Sequence, residues 1–329
     1  MVLDAVVLRT WPHGEADLWV TVVSSPAGLL SGVAKNALKS QRRFTGALVT
    51  ATREDLMVAR RQGTWYLEEA LVTEPFRRIK STATGFALAC YGIETVLATH
   101  PEGPASRDAF GELVELLEHL ESGRADLPLT RLAWDVKLLA ALGLLPEVES
   151  CVVCATEIGT GAAWFDGRAG GTLCRGHAAA PRGAPVDPGG TSRQCSGVAG
   201  GAGGRARREG GGREEPGGSL RAEDPARSGR RTGRVDPDDL RQLVEEGEPG
   251  VEAVGEDSRL KLGAEARRLL SALPGRPFPL LGEPGPKGPD RLAARRATDL
   301  LMMWHLPLKI LSLRVLEQLS RRSTSRMRS

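Results

Sequence analysis

Cys151 and Cys154 form CVVC, and after nineteen intervening residues Cys174 and His177 form CRGH. Two short-spaced pairs of soft donors around a glycine-rich interval are the pattern of a four-ligand zinc ribbon, in which each pair sits on a tight turn and the ion joins the two. Three thiolates and one imidazole would fill a tetrahedral shell, leaving no position for water, so the implied zinc is structural. The interval AAWFDGRAGGTL reads as a hairpin with Asp-Gly or Gly-Gly at its turn. A rival chemistry uses the first pair differently. Zinc deaminases place HxE ahead of PCxxC, with the Glu moving protons, and His100, Glu102, Cys151 and Cys154 occur in that order. Ser150 stands where that motif needs proline, and the pair Cys174 and His177 would be left without a task. No GxxxxGK[ST] and no GxSxG occur, so no other catalytic constellation competes.

The second chemistry is ionic. Lys35, Lys39, Arg42 and Arg43 lie in AKNALKSQRRFTG, and no acid interrupts the chain from Leu18 to Arg53. Such a loop would neutralise phosphates and bind nucleic acid with a steep salt dependence and little sequence preference. Arg60, Arg61, Arg77, Arg78 and Lys80 extend the basic surface. Phe44, Trp65 and Tyr66 offer stacking faces for unpaired bases, although any single one of them is the better candidate for a core. The zinc-ribbon and basic-loop readings together allow a nucleic-acid-binding protein of several pathways.

Elements must hold these groups in place. Leu3 to Leu8, Leu18 to Val23, Leu29 to Ala34, Ala47 to Thr52, Leu56 to Ala59 and Trp65 to Leu67 are short β-rich runs separated by turn signals, the pattern of a small barrel. Helical periodicity follows over residues 81–100, with Ser81 or Thr82 as cap and Cys90 inside the apolar face. It continues over 106–123, with Ser106 as cap and Gly123 as stop, and over 129–146, closed by Gly143 and Pro146. His119 is assigned to a solvated acidic face with Glu112, Glu115, Glu118 and Glu121. Residues 181–234 are too rich in Gly, Arg and Pro to offset chain entropy by burial and predict disorder. Cys195 lies in that stretch, and a short acidic helix is predicted after it. Order is expected to resume near Ser258 with an amphipathic segment, and a last helix kinks or divides at Pro307; His305 is assigned to packing.

With 329 residues the chain is long enough for about two domains. A net charge of +3 says little by itself. Five cysteines, an odd number, and no apolar run of signal-peptide or membrane-span length predict a cytoplasmic protein whose thiols are reduced or metal-bound.

Several stretches together resemble the RecO family of DNA repair and recombination proteins. VVLRTWPHGEADLWVTVVSSPAGLLSGVAKNALKS resembles its first three strands and basic loop, WYLEEALVTEPF the end of its barrel, and RLAWDVKLLAALGLLPEVESCVVC with FDGRAGGTLC its central helix and zinc ribbon. The resemblance implies an α+β chain: an N-terminal OB-fold β-barrel (1–80) and an all-α domain (81–150 and 258–322) with an embedded zinc ribbon (151–178); the disordered insertion (179–257) is a departure from the family's pattern. The resemblance also implies a non-catalytic mediator that binds single- and double-stranded DNA, anneals strands, engages RecR and the C-terminal tail of the single-strand-binding protein, and indirectly serves RecA, in the cytoplasm at the nucleoid. Trp134 and Lys137, in the helix matching the tail-binding one, are the apolar and cationic candidates for that contact. Where zinc-bearing relatives have a second CxxC, this chain has Cys174 and His177.

Overall fold

The computed structural model describes residues 1–179, 259–278 and 288–306, with 310, 312, 315, 316 and 318. The expectations for the insertion beyond Ala179, for Cys195, for the acidic helix and for Pro307 lie outside those residues.

Five strands close a barrel in the order β1-β2-β3-β5-β4: β1 (Val2–His13), β2 (Asp17–Ser24), β3 (Gly28–Ala34), β4 (Arg53–Arg61) and β5 (Thr64–Glu74). All pairings are antiparallel except β3 with β5. Alternation supplies the inside: Leu3, Ala5, Val7, Val20, Val22, Leu30, Leu56, Val58 and Leu67 meet there in one apolar cluster. Gly32 makes the parallel closure feasible, because a Cβ would lie 2.8 Å from both the Trp65 carbonyl oxygen and the Leu67 side chain. This is the OB-fold barrel.

One of the expected strands does not form. Ala47–Thr52 turns back across the barrel mouth instead, with Leu48 and Ala51 in left-handed backbone at φ 59° and 57°. β1 is already paired with β2 and β4, so the backbone of this limb bonds to it where β1 bulges, through Val7 N to the Thr52 carbonyl and Ala51 N to the Val7 carbonyl, both 2.9 Å, and Thr10 Oγ1 donates to the Leu48 carbonyl at 3.0 Å. Phe44 and Leu48 drop into the barrel interior as a plug.

The barrel's outer face continues into the helical core. Val6, Leu8, Val23, Leu29 and Ala51 join one cluster with residues of α1 (Arg77–Ser81), α2 (Ala83–Thr99), α3 (Asp108–Glu121) and α4 (Leu127–Ala141), and with α6 (Ala264–Ala272) and α7 (Pro289–His305). At the seam Gly103 N donates to the Leu29 carbonyl at 2.7 Å. Gly28, at φ 66°, permits that approach, since a Cβ would stand 2.0 Å from the Gly103 oxygen.

Two expectations about this core need correction. His119 does not ride on a solvated face: it is buried, paired with Thr130 Oγ1 at 3.2 Å and stacked on Phe278 at 5.8 Å. Its neighbour comes from beyond the insertion, which a helical wheel of one segment cannot reveal. Ser106 does not cap α3; its hydroxyl donates to the Pro101 carbonyl at 2.5 Å, while Arg107 holds the cap position.

Residues 151–179 build a small module on this frame. β6 (Ala163–Asp166) and β7 (Gly171–Leu173) are the expected hairpin, followed by the single turn α5 (Arg175–Ala178). A third strand, β8 (Arg259–Leu262), pairs with the other edge of β6. Sequence periodicity alone merges β8 with α6 into one amphipathic segment. No helix among the described residues is long and apolar enough to cross a membrane.

Candidate metal centre and nucleic-acid face

The metal centre is made by two local turns that tertiary contacts bring together. In the first, Ala155 N donates to the Cys151 carbonyl and Cys151 N to the Thr156 carbonyl, both at 2.8 Å, with Ala155 at φ 54°. In the second, Cys174 is the N-cap of α5, and His177 follows three positions later on the same face. Thr172 on β7 locks the turns to each other: its Oγ1 donates to the Ser150 carbonyl at 2.8 Å, and its carbonyl accepts from Val152 N at 2.9 Å.

The ligand atoms of Cys151, Cys154, Cys174 and His177 all lie within 4.8 Å of one another. Cys154 Sγ is 3.9 Å from Cys174 Sγ, and His177 Nδ1 is 3.6 Å from Cys151 Sγ and 3.2 Å from Cys174 Sγ. Zinc–sulfur bonds of ~2.3 Å in a tetrahedron put sulfur atoms about 3.8 Å apart, so these separations fit one shared ion. The group can hold a metal. His100 is not part of it: its Nδ1 pairs with Thr99 Oγ1 at 2.9 Å, and Glu102 accepts from Ser31 Oγ at 2.6 Å at the barrel–helix seam. The deaminase arrangement of His100, Glu102, Cys151 and Cys154 therefore does not assemble.

The basic loop leaves β3 at Lys35 and returns to β4. Lys35, Lys39, Arg42 and Arg43 are all exposed, whereas Phe44 is buried in the plug. The outgoing limb is tied to the turn between β1 and β2: Asn36 N donates to Asp17 Oδ1 at 2.7 Å and Leu38 N to the Ala16 carbonyl at 3.0 Å. Arg60 and Arg61 are exposed at the end of β4 and lie over Trp65 and Tyr66 at 5.5 and 5.8 Å; Arg61 also pairs with Glu68 at 2.6 Å. Arg77, Arg78 and Lys80 belong to the barrel–helix junction on α1, where Lys80 Nζ donates to the Pro75 carbonyl and the Arg78 guanidinium packs on Gly123.

Sequence reading missed the partner of this loop. The β1–β2 register sets Trp11 directly opposite Trp19, with ring centres 6.3 Å apart. His13 abuts Trp19 at 5.7 Å, and the Arg9 guanidinium lies 4.8 Å over Trp11. Pairing carries the outward row onward from Trp19 to Val33 and from Val33 to Tyr66. The signal was present as two tryptophans at equal distance from the turn in WPHGEADLW, and it becomes readable only once that hairpin is assumed.

The two residues expected to contact a partner are placed differently from a surface patch. Trp134 is 1% exposed, and its Nε1 donates to Thr95 Oγ1 at 2.9 Å. Lys137 pairs with Glu115 at 2.8 Å and lies 4.7 Å over the Phe278 ring. A buried polar cluster of Tyr91, Arg131 and Asp135 lies beside Trp134, with the half-buried Asp299 at its edge. Tyr91 Oη donates to Asp135 Oδ1 at 2.6 Å, and Arg131 bridges Asp135 and Asp299 at 3.6 and 2.5 Å, tying α2, α4 and α7. Burial pushes the Asp135 carboxyl up to about 6, against the opposing pull of Arg131.

Comparison with known proteins agrees with this architecture in both halves. Residues 1–76 match the family model "Recombination protein O N terminal", and residues 81–192 match "Recombination protein O C terminal". The chain is 31% identical over 177 residues to a DNA repair protein RecO of Desulfatibacillum aliphaticivorans, covering 52% of this chain and 69% of the relative. It is 34% identical over 173 residues to that of Geobacter sulfurreducens, covering 53% and 71%. Against that of Anaeromyxobacter sp. the identity is 32% over 190 residues, covering 57% and 74%. With both family models matched in order on a barrel and a helical region, and with relatives matched over more than two thirds of their length, this chain belongs to the RecO family of DNA repair proteins.

Proposed function

We propose that the chain is a recombination mediator that gathers and anneals DNA strands without making or breaking a bond. The observation that carries this reading is the hydrogen-bonded junction of the basic loop with the Trp11–Trp19 hairpin. It sets cations for phosphates beside aromatic faces for bases, the two components of single-strand binding. Lys35, Lys39 and Arg42, with Arg60 and Arg61 at the next strand end, supply the charge; Arg9, Trp11, Trp19 and Tyr66 supply the platform. Annealing follows when repulsion between two polyanions is screened on one surface.

In this reading residues 1–80 act as the DNA-binding domain, and the helical domain from 81 onward, carrying the ribbon of 151–178, recruits RecR and the tail of the single-strand-binding protein. RecA loading follows indirectly, in the cytoplasm at the nucleoid. Cys151, Cys154, Cys174 and His177 hold a structural zinc, because three sulfurs and one nitrogen at tetrahedral spacing match that ion's preference and leave no open position for a substrate. The ion's contribution is to fix the hairpin β6–β7 on the helical frame.

The test is single-strand binding by fluorescence anisotropy across a salt series. Replacing Lys35, Lys39 and Arg42 together by Ala should lower the log–log salt slope by about 2, at ~0.7 for each phosphate that is no longer neutralised. An unchanged slope would remove the loop from the DNA interface.

A further inference from the structure

We infer that Arg43 positions the basic loop by cross-tying its two limbs, and that phosphate is met by Lys35, Lys39 and Arg42 around it. This rests on the reading of the loop as a DNA-binding element and assigns its four cations to two different tasks.

The Arg43 side chain is committed in three directions. Nη2 donates to the Lys35 carbonyl at 2.8 Å, at the point where the chain leaves β3, and Nη1 reaches the Glu68 carbonyl on β5 at 3.4 Å. The face of the guanidinium lies 5.2 Å over the ring of Phe44, which is itself buried in the barrel mouth. Its backbone is held as well: Ala70 N donates to the Arg43 carbonyl at 2.9 Å, and Arg43 N donates to Ser40 Oγ at 3.1 Å. Among the described residues Lys35, Lys39 and Arg42 have no carboxylate within ion-pair distance.

The rest of the loop explains why such a tie is needed. The outgoing limb is pinned to Ala16 and Asp17, whereas the returning limb is pinned from inside the barrel. There Leu48 N, in its left-handed turn, donates to Glu54 Oε1 at 2.8 Å, and Thr52 Oγ1 donates to the same oxygen at 2.7 Å. Between these anchors Arg43 connects limb to limb and limb to β5. A planar fork that serves two carbonyls and stacks on a ring is a guanidinium task; an ammonium keeps the charge and loses the fork. The charge-conserving substitution therefore separates position from charge.

The experiment uses the full-length chain and a fluorescent oligothymidylate, with binding measured across a salt series and amide exchange followed in parallel. Arg43→Lys should weaken binding by about tenfold, nearly as much as Arg43→Ala, because an ammonium cannot serve both carbonyls and the Phe44 ring at once. The salt slope should stay unchanged, and exchange should quicken at Ala70 and across 36–42. Arg42→Ala should lower the slope by about 0.7. Arg43→Lys binding like the parent, or Arg43→Ala lowering the slope as Arg42→Ala does, would overturn the assignment. An unchanged slope in the triple Lys35, Lys39 and Arg42 variant would instead overturn the loop reading beneath it.

Discussion

Arg259 donates from Nε to Oδ2 of Asp166 at 2.8 Å, joining the strand that follows the insertion to the strand that precedes it. The other oxygen of Asp166 accepts from Arg168 N and Ala169 N at 3.0 and 3.3 Å, shaping the turn of the β6–β7 hairpin. One carboxylate thus holds both the hairpin and its third strand. Arg267 completes the attachment by donating to the carbonyls of Val148, Ile158, Gly159 and Gly161 around the first metal turn. The module is assembled from both sides of the insertion.

Asp166→Ala should therefore cost about 1–3 kcal/mol, the range for losing a buried charge-assisted bond. The readouts are thermal unfolding and metal release to a competing chelator, both of which should shift toward lower stability. If release is unchanged, β8 is not coupled to the metal turns.

Removing a metal ligand should act on the same module. Cys174→Ser is expected to reduce bound zinc, measured by colorimetric assay on denatured protein, from one per chain to near none, because one of the four donors that share the ion is lost. Cys90→Ser should leave it unchanged: Cys90 lies on α2, where burial pushes its thiol up to about 12. Retention of zinc in Cys174→Ser with loss in His100→Ala would reverse the ligand assignment.

On the barrel, Trp11→Ala and Trp19→Ala should each weaken oligothymidylate binding by about 1–3 kcal/mol, the contribution of one stacked base. Neither removes a charge, so the salt slope should be that of the parent. A change of slope without a change of affinity would contradict the stacking role.

In the helical core, Trp134→Ala should lower stability by about 3–5 kcal/mol, because a fully buried ring leaves a cavity among α2, α3 and α4. Lys137→Ala should cost only about 1 kcal/mol. Titration with the tail peptide of a single-strand-binding protein then separates the two positions. Lys137→Ala should weaken the peptide while the protein remains folded, and Trp134→Phe should leave peptide affinity intact.

Asp135 carries a pH dependence of defined sign. Its folded value, about 6, stands above the ordinary 3.8, so the native state holds the proton more firmly than the unfolded chain. Its contribution to stability grows as pH falls through about 6 and is lost as pH rises through it. Relative to Asp135→Asn, the parent should gain about 1 kcal/mol between about pH 7 and pH 5. Equal responses of the two proteins in denaturant titrations at those pH values would reject the shift.

Much of this arrangement is written in short stretches. Cys151 with Cys154 and Cys174 with His177 are local turns, so spacing alone determined which donors could share an ion. Likewise the barrel strands, the basic loop and the stops at Gly123 and Gly143 follow from alternation, charge and backbone freedom within a few residues. Only tertiary structure decided which side chains meet across long intervals. It stacked His119 on Phe278, paired β8 with β6, sealed Trp134 away from the surface, set Trp11 against Trp19 and turned Ala47–Thr52 back across the barrel mouth, with Leu48 beside Phe44 in the plug. The reason is physical: local periodicity specifies which face of an element is apolar, whereas the identity of the partner depends on register and packing between segments that sequence distance does not encode.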